Sequence, residues 1–517
     1  MGQNQNLDAA LQYHSGTKHS YLGLRTNPHT LDWDNKPLLF KIYPTLEVTR
    51  LPRDFRETGV PALTAIASPE SSSQAEAVPD LETLAQLLFF SAGVTRSKKY
   101  PGGETFFRAA ACTGALYEID LYVVSTDLKG IHSPALPAGL YHFGVAEFGL
   151  RQLRSGDFRQ AVVEATAGDS SVAHAPVTII CAGTFWRNAW KYRSRTYRHF
   201  GWDNGTILAN LLAVSASLKL PAKVIAGFVD SEINSLLALD TKREVAFSIA
   251  TIGFQPTRPP SAPAISPLEL PIVPYSRQEV DYPAMRKMHE ASALDSREEV
   301  VAWRAKTSTV HLPEPKGDVK VLSLPEESKV PQDSIEKVIS RRGSTRQFAR
   351  DPIRQPQLAL LLDRATGGIP ADFLDPFGSH LNDLYLIINN VLGVAPGAYV
   401  YHREQRILEL LKAGEFRDKA GYLGLEQQLP ADAAVDVFFL ADMKSILERY
   451  GNRGYRAAQL EAGIIGGKLY LAAYAQGLGA TGLTFYDDDV ISFFSPHARG
   501  KSAIFLVALG RSAPLKR

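Results

Sequence analysis

The stretch that runs from Tyr197-Arg198 through Gly205 and Leu220 to Asp230 is read again as Tyr455-Arg456, Gly463, Leu478 and Asp488. Each pair lies 258 positions apart, so about thirty residues superpose without a gap. The matching extends outward with small shifts: Leu121-Tyr122 pairs with Leu384-Tyr385, and Gly253 with Gly510. Self-similarity over this length exceeds the period of solenoid repeats and predicts two copies of one domain-sized unit. One feature is not duplicated. The second copy carries Arg342-Gly-Ser344-Thr-Arg346, a compact basic loop suited to a phosphate, and ends in Gly510-Arg511.

The bulk properties agree with two globular units. At 517 residues the chain exceeds what a single core usually supports. An apolar content of 45% with 21% charged residues describes an ordinary globular composition, and a net charge of +2 gives no general reason to expect nucleic acid or an anionic membrane as partner. Cys112 and Cys181 form neither a disulfide framework nor a CxxC metal pair, and the twelve histidines show no ligand spacing, so no metal is expected. A reducing, cytoplasmic setting fits these cysteines. The N-terminus lacks a basic-then-apolar signal pattern, and no apolar run is long enough to span a bilayer.

Residues 1–80 read as an irregular leader, broken by stretches such as Ala67-Ser-Pro-Glu70-Ser-Ser72. The first unit, 81–255, opens with Leu84, Leu87 and Leu88 at helical spacing. It continues with β-branched runs at Leu121–Val124 and Thr178–Cys181, a long helix at about 203–218, and a closing strand over Phe247–Ile252. A proline-rich connector, 256–330, carries a charged helix over roughly 284–305. The second unit, 331–517, repeats the order of the first, with its long helix near 457–477. The expected class is α+β: two tandem domains forming an intramolecular pseudo-dimer, each with a predominantly antiparallel sheet flanked by helices.

Arg342, Ser344 and Arg346 alternate along the chain, so two guanidinium groups and a hydroxyl can share one phosphate through charge-assisted hydrogen bonds. Arg511 follows the strand Ile504–Leu509 and can reach the same anion. Most arginines are solvated surface charges, and the repeat supplies the control. Aligning Leu358–Leu362 with Leu84–Leu88 puts the twin of the loop at Ser68-Pro-Glu70-Ser-Ser72, which has no base, and Phe254 stands where Arg511 would be. Loss of every basic group together favours one shared ligand. By contrast Gly477-Leu-Gly479-Ala-Thr-Gly482 matches the dinucleotide fingerprint only by spacing. It follows a helix and precedes an extended segment, the reverse of a Rossmann loop, and reads as a helix-ending glycine turn.

Arg342–Phe348, Gly479–Asp487 and Ala508–Arg511 together resemble the nitroreductase superfamily of flavoproteins. More narrowly, Tyr13–Ser20, Leu116–Val124, Gly139–His142 and Lys191–Arg198 are similar to the SagB/ThcOx-type dehydrogenases, which oxidise thiazolines and oxazolines in peptides. The resemblance implies FMN at the interface between the two units, one per chain. It implies that Arg342, Ser344, Arg346 and Arg511 hold the phosphate, and that backbone at Leu483, Thr484 and Phe485 faces flavin N5. Ala111, Cys112, Thr113 and Gly114 would come from the facing unit, although relatives usually carry Pro-Ser where this chain has Ala111-Cys112. Gln428 would meet the pyrimidine edge. Lys191-Tyr192 would remove a proton, with the ammonium drawing the phenol towards phenolate. Arg449-Tyr450 occupies the corresponding place in the second unit, so a purely structural role for the pair stays open.

Three classes of function follow. The first is an FMN-dependent dehydrogenase of a small or peptide-borne heterocycle. The second is an FMN reductase fed by NAD(P)H and acting on quinones or nitroaromatics. The third is a non-catalytic flavin-binding scaffold. In all three a tandem chain can act as a monomer.

Overall fold

The structure, a computed structural model, describes residues 3–67, 75–100, 103–306 and 312–514. Two seven-stranded sheets organise it. The first contains β1 (Thr49–Arg50), β2 (Ile119–Ser125), β3 (Gly139–Gly144), β4 (Gly149–Ser155), β5 (Val177–Thr184), β6 (Ala222–Ile225) and β7 (Glu244–Ile252). Its spatial order is β1-β4-β3-β2-β5-β7-β6. The second contains β8 (Val319–Val321), β9 (Asp383–Ile388), β10 (Gly397–His402), β11 (Ile407–Ala413), β12 (Val435–Ala441), β13 (Gly479–Leu483) and β14 (Ser502–Gly510), in the order β8-β11-β10-β9-β12-β14-β13. Adding seven to each label of the first order yields the second. Every pairing in both sheets is antiparallel.

The likeness reaches the irregularities. The β5–β7 ladder shifts register between Cys181 and Ala182, and the β12–β14 ladder between Phe439 and Leu440, again 258 residues on. A bulge bends a strand and twists it more strongly. Its recurrence at matching positions gives both sheets the same curvature. The central strands β2, β5, β9 and β12 are buried along their whole length, because helices cover the faces that their continuous apolar runs present.

Ten helices pair in the same way: α1 (Asp8–Gly16), α2 (Leu81–Ala92), α3 (Phe185–Tyr192), α4 (Thr196–Ser217), α5 (Asp230–Leu236), α6 (Pro283–Ala291), α7 (Gln355–Thr366), α8 (Met443–Tyr450), α9 (Arg453–Ala475) and α10 (Asp487–Phe494). The centre of the molecule is the crossing of α4 and α9. A Cβ on Gly205 would lie 2.4 Å from the Gly463 carbonyl carbon, and one on Gly463 would lie 2.5 Å from the Gly201 carbonyl oxygen. The helices therefore meet backbone to backbone at the two glycines that the repeat equates. Both helices start earlier than their apolar spacing predicts. Polar residues in their first turns, among them Arg198, His199 and Arg456, are buried by partners from other segments.

Two ion clusters lock the halves together. Arg195 and Arg198 bind Asp487 at 2.9 and 2.6 Å, while Arg453 and Arg456 bind Asp230 at 2.5 and 2.7 Å. Each joins guanidinium groups of one unit to a carboxylate of the other. The structural twin of Asp230 is thus Asp487; Asp488, its counterpart in the gapless alignment, points outward to Lys18 at 2.6 Å.

The leader and the connector are more ordered than their composition suggests. In the leader, α1 and β1 are regular, as are the short helices Tyr21–Thr26 and Ala62–Ala67. In the connector, α6 and Arg297–Arg304 replace a single helix, and β8 joins the second sheet. Moreover α1 and α6 do the same work. Arg198 donates from Nε to Thr17 Oγ1 and from Nη2 to the His14 carbonyl, and Arg456 donates in the same way to Ser292 and His289. Each repeat begins with this helix, so the repeating unit is larger than the spans 81–255 and 331–517. The proposed twin of the phosphate loop, Ser68–Ser72, lies outside the described residues. Among the described residues no helix is long and apolar enough to cross a membrane.

Candidate functional site

The phosphate loop leaves the C-terminal end of the helix Ile335–Arg341 and is pinned to β13 and β14. Thr345 N donates to the Ala480 carbonyl at 2.9 Å, and Ala349 N donates to the Arg511 carbonyl at 2.9 Å. These bonds set the loop against the edge strand β13. Arg346 is exposed. Ser344 Oγ is half-buried, 3.4 Å from the Tyr470 hydroxyl. Arg342 is buried and reaches into the other unit, donating to the carbonyls of Ala109 at 2.9 Å and Arg108 at 2.8 Å. Two of its five donors thus tie the units together. Arg511 is exposed and its Nε donates to the Pro352 carbonyl at 3.3 Å.

The first unit closes over this loop. Its hairpin, Val94–Tyr100 with Gly103–Arg108, brings Arg96 Nη2 to 3.5 Å from the Arg342 carbonyl. A Cβ on Gly343 would stand 3.3 Å from the same nitrogen, so the loop's glycine permits this approach. Arg96 adds a cation that the repeat comparison did not single out, because the basic hairpin belongs to one unit alone.

Ala111, Cys112, Thr113 and Gly114 lie beside α4. Asp203 accepts from the Thr113 amide and hydroxyl at 2.9 Å, which holds the turn in place. Cys112 Sγ lies 3.3 Å from Asp203 and 3.4 Å from Glu118. The three ligand-type atoms fall within 4.8 Å of one another. Burial and then Asp203 and Glu118 push the Cys112 thiol up, and burial and then Glu118 push the Asp203 carboxyl up. Both groups therefore favour their protonated forms, which makes Cys112 an inert thiol rather than a nucleophile. Gly114 has φ +64°, and a Cβ there would come within 2.9 Å of the Tyr192 hydroxyl. Glycine is needed at this position both for its backbone and for the tyrosine.

Lys191 and Tyr192 end α3. Their protonation runs opposite to the sequence expectation. Burial pushes the Tyr192 phenol up, and Arg346 opposes this only in part. The phenol therefore stays protonated. Lys191 is pushed down by partial desolvation and then by Arg346. The basic loop of the second unit approaches the Lys-Tyr pair of the first through Arg342, bonded to the Ala109 carbonyl, and through the Ala111–Gly114 turn that lies against Tyr192.

The leader also reaches the site. His19 Nδ1 lies 3.1 Å from Thr484 Oγ1, and its backbone amide donates to Asp487 at 2.8 Å. Burial and then Arg195 hold the imidazole neutral, with a pKa lowered to about 3. Phe485 is fully buried against Arg195, whose guanidinium carbon sits 5.3 Å from the ring. Leu483 packs beside Phe348 and Ala508. Gln428 is exposed, and its amide is engaged by Asp432 of its own helical turn at 2.9 Å.

Fourteen residues were expected at the site. The structure draws the phosphate loop, Ala111–Gly114, Lys191-Tyr192 and the Leu483–Phe485 segment to the seam between the units. Arg511 and Gln428 lie at its margin with their side chains turned to local partners.

The nitroreductase family model matches residues 339–510. A candidate nitroreductase of Methanocaldococcus jannaschii is 25% identical over 179 residues, which is 34% of this chain and 89% of that protein. The crystal structure of a candidate nitroreductase from Anabaena variabilis has a TM-score of 0.77 at 25% identity, covering 98% of this chain and 99% of its own. Another, from Ralstonia eutropha, is 22% identical with a TM-score of 0.33, and covers 43% of this chain and 95% of its own. The family match lies across the second unit, and the likeness to the Anabaena protein extends over the whole chain, so the chain is similar to nitroreductases in both sequence and fold.

Proposed function

We propose that the chain is an FMN-dependent dehydrogenase that oxidises an azoline or similar heterocycle, peptide-borne or small, with one FMN per chain. The observation that carries this reading is the shared seam. Arg342 of the basic loop bonds the Ala109 and Arg108 carbonyls of the other unit, and a few residues on Gly114 lies against the hydroxyl of Tyr192. The donor set suits a flavin phosphate: Arg346 is exposed two residues from the half-buried Ser344 hydroxyl, and Arg96 lies against the loop at Arg342 and Gly343. When bound, FMN supplies a two-electron acceptor for hydride.

The chain's own residues supply the rest. Lys191, with its amine destabilised as a cation, is the better proton acceptor. Tyr192 remains a neutral phenol and serves as a hydrogen-bond donor held over Gly114. The test is oxidation of a thiazoline-containing peptide by purified protein, followed by mass loss of two hydrogens. Extracted flavin should approach one per chain. Flavin near two per chain, or no oxidation of any thiazoline or oxazoline, would count against the proposal.

A second reading is a reductase of quinones or nitroaromatics driven by NAD(P)H. The name of the Methanocaldococcus relative favours it, and such chemistry needs no proton acceptor at Lys191. Quinone reduction that survives Lys191→Arg unchanged, with no azoline turnover in the wild type, would select it.

A further inference from the structure

The two halves differ most where α3 meets α4. Asn188 of α3 is fully buried and holds two neighbours: its Oδ1 lies 2.9 Å from Thr196 Oγ1 and 2.8 Å from His199 Nδ1. Its Nδ2 faces the Thr113 carbonyl at 3.5 Å. With the amide nitrogen turned to a carbonyl, Oδ1 is the acceptor, so His199 Nδ1 must carry the proton. The opposite nitrogen, Nε2, is then a bare acceptor. It is buried, and it has no hydrogen-bond partner among the described residues. Burial and the cations Arg195 and Arg198 keep the ring neutral, so Nε2 does not relieve itself by taking a proton. Native proteins rarely leave such an atom without a partner.

The ring's position gives that atom a use. It stands edge-on to Tyr192 with centroids 4.6 Å apart and leans on Trp202 at 4.8 Å. It therefore stands beside the Lys191-Tyr192 pair. The repeat again provides the control. At 258 residues on, Asn188, Thr196 and His199 become Ile446, Gly454 and Ala457, and Trp202 becomes Leu460. His19, the leader residue that touches Thr484, has the counterpart Leu294. Both make the same backbone exchange with their aspartate, His19 with Asp487 and Leu294 with Asp230. A group needed only for folding would be expected in both halves. At these matched positions the polar groups belong to the first repeat, whose partner carries the basic loop.

We propose that His199 Nε2 accepts a hydrogen bond from the substrate, and that the site therefore selects ligands bearing an N–H or O–H donor next to the reacting ring. For a peptide-borne azoline the donor is a flanking amide N–H. Asn188 and Thr196 act as positioning residues that fix the tautomer. This inference rests on the dehydrogenase reading for the choice of substrate, but its test does not require turnover.

The experiment is calorimetric titration of purified holoprotein with two probes: a thiazoline dipeptide amide with free N–H groups, and the same compound N-methylated. One hydrogen bond to a buried acceptor corresponds to about tenfold in affinity. Wild-type protein should bind the N–H probe about tenfold more tightly than its N-methyl counterpart. His199→Ala should erase that preference while keeping its FMN, and His199→Gln, which offers an amide oxygen, should restore part of it. Equal binding of the two probes by the wild type overturns the inference, as does binding of neither. Loss of FMN from His199→Ala with the probe preference intact also overturns it, because Nε2 would then serve the cofactor. The two proposals fail separately: a probe that binds with the expected preference but is never oxidised refutes the dehydrogenase alone.

Discussion

At Lys191 the cost of desolvating an ammonium and the nearby Arg346 charge act in the same direction, so the amine loses its proton more readily than an ordinary lysine. If this amine accepts the substrate proton, kcat/KM should rise with pH through its lowered pKa and level off above it. Lys191→Arg substitutes a group that stays protonated, and should lower the rate by about 10²–10⁴-fold with no such rise. An identical pH profile in Lys191→Arg would remove Lys191 from the chemistry. The arginines of the phosphate loop separate in a similar way. Arg346 is exposed and bonds no other side chain among the described residues, so Arg346→Ala should yield folded protein with little flavin. Arg342→Ala also releases the carbonyls of Arg108 and Ala109, and its unfolding midpoint in urea should fall as well. Equal midpoints for the two variants would contradict this assignment.

The elements were read with uneven success, and the reasons are physical. Strands β2, β5, β7, β12 and β14 were legible because buried central strands require continuous β-branched and apolar runs. The starts of α4 and α9 were not, because Arg198 and Arg456 sit among residues that look exposed until carboxylates from the other half arrive. Helix α1 is short, and what buries Tyr13 and His14 comes from Tyr197, Arg198 and Tyr455, far along the chain. The helix crossing offers a test at this scale. Gly205→Ala places a Cβ 2.4 Å from the Gly463 carbonyl carbon. Overpacking of this kind costs about 1–3 kcal/mol, against a gain of up to about 1 kcal/mol from helix propensity. Gly16→Ala in α1 meets nothing within 4 Å and should be neutral or stabilising. Urea unfolding should therefore show a loss of stability in Gly205→Ala and none in Gly16→Ala, and equal stability of the two variants would refute the close crossing.

For the whole molecule, the reciprocal ion clusters make folding of one half depend on the other. Urea unfolding should show one transition by every probe, whereas two resolved transitions would mean independent halves. The clusters also set an acid limit. Arg453 and then Arg456 hold the Asp230 carboxylate at about 2 despite the opposing effect of burial. Because this folded value lies below the unfolded one of about 3.9, the stabilisation is present above pH 4 and is lost as pH falls towards 2. Asp230→Asn should cost about 3–5 kcal/mol at neutral pH by leaving two buried guanidinium groups without a counter-charge. It should also flatten the loss of stability between pH 4 and 2, and an unaltered slope would show that the cluster contributes nothing to acid sensitivity.

The sequence by itself determined the duplication, the α+β class and the place of the single basic loop. These rest on local periodicity and on comparing one half with the other, and both are properties of the order of residues. The same comparison would have exposed Asn188 and His199 had it been applied to them, since Ile446 and Ala457 stand opposite. Other features were decided only by the tertiary structure. Asp487 rather than Asp488 faces the arginines, because a one-residue shift at the start of α10 selects which carboxylate turns inward. Tyr192 stays protonated because burial outweighs the pull of Arg346. Arg96 and His19 join the site because a hairpin and a leader from distant parts of the chain fold onto the second unit. Burial and charge proximity depend on which segments meet in space, and for these residues their neighbours along the chain did not carry that information.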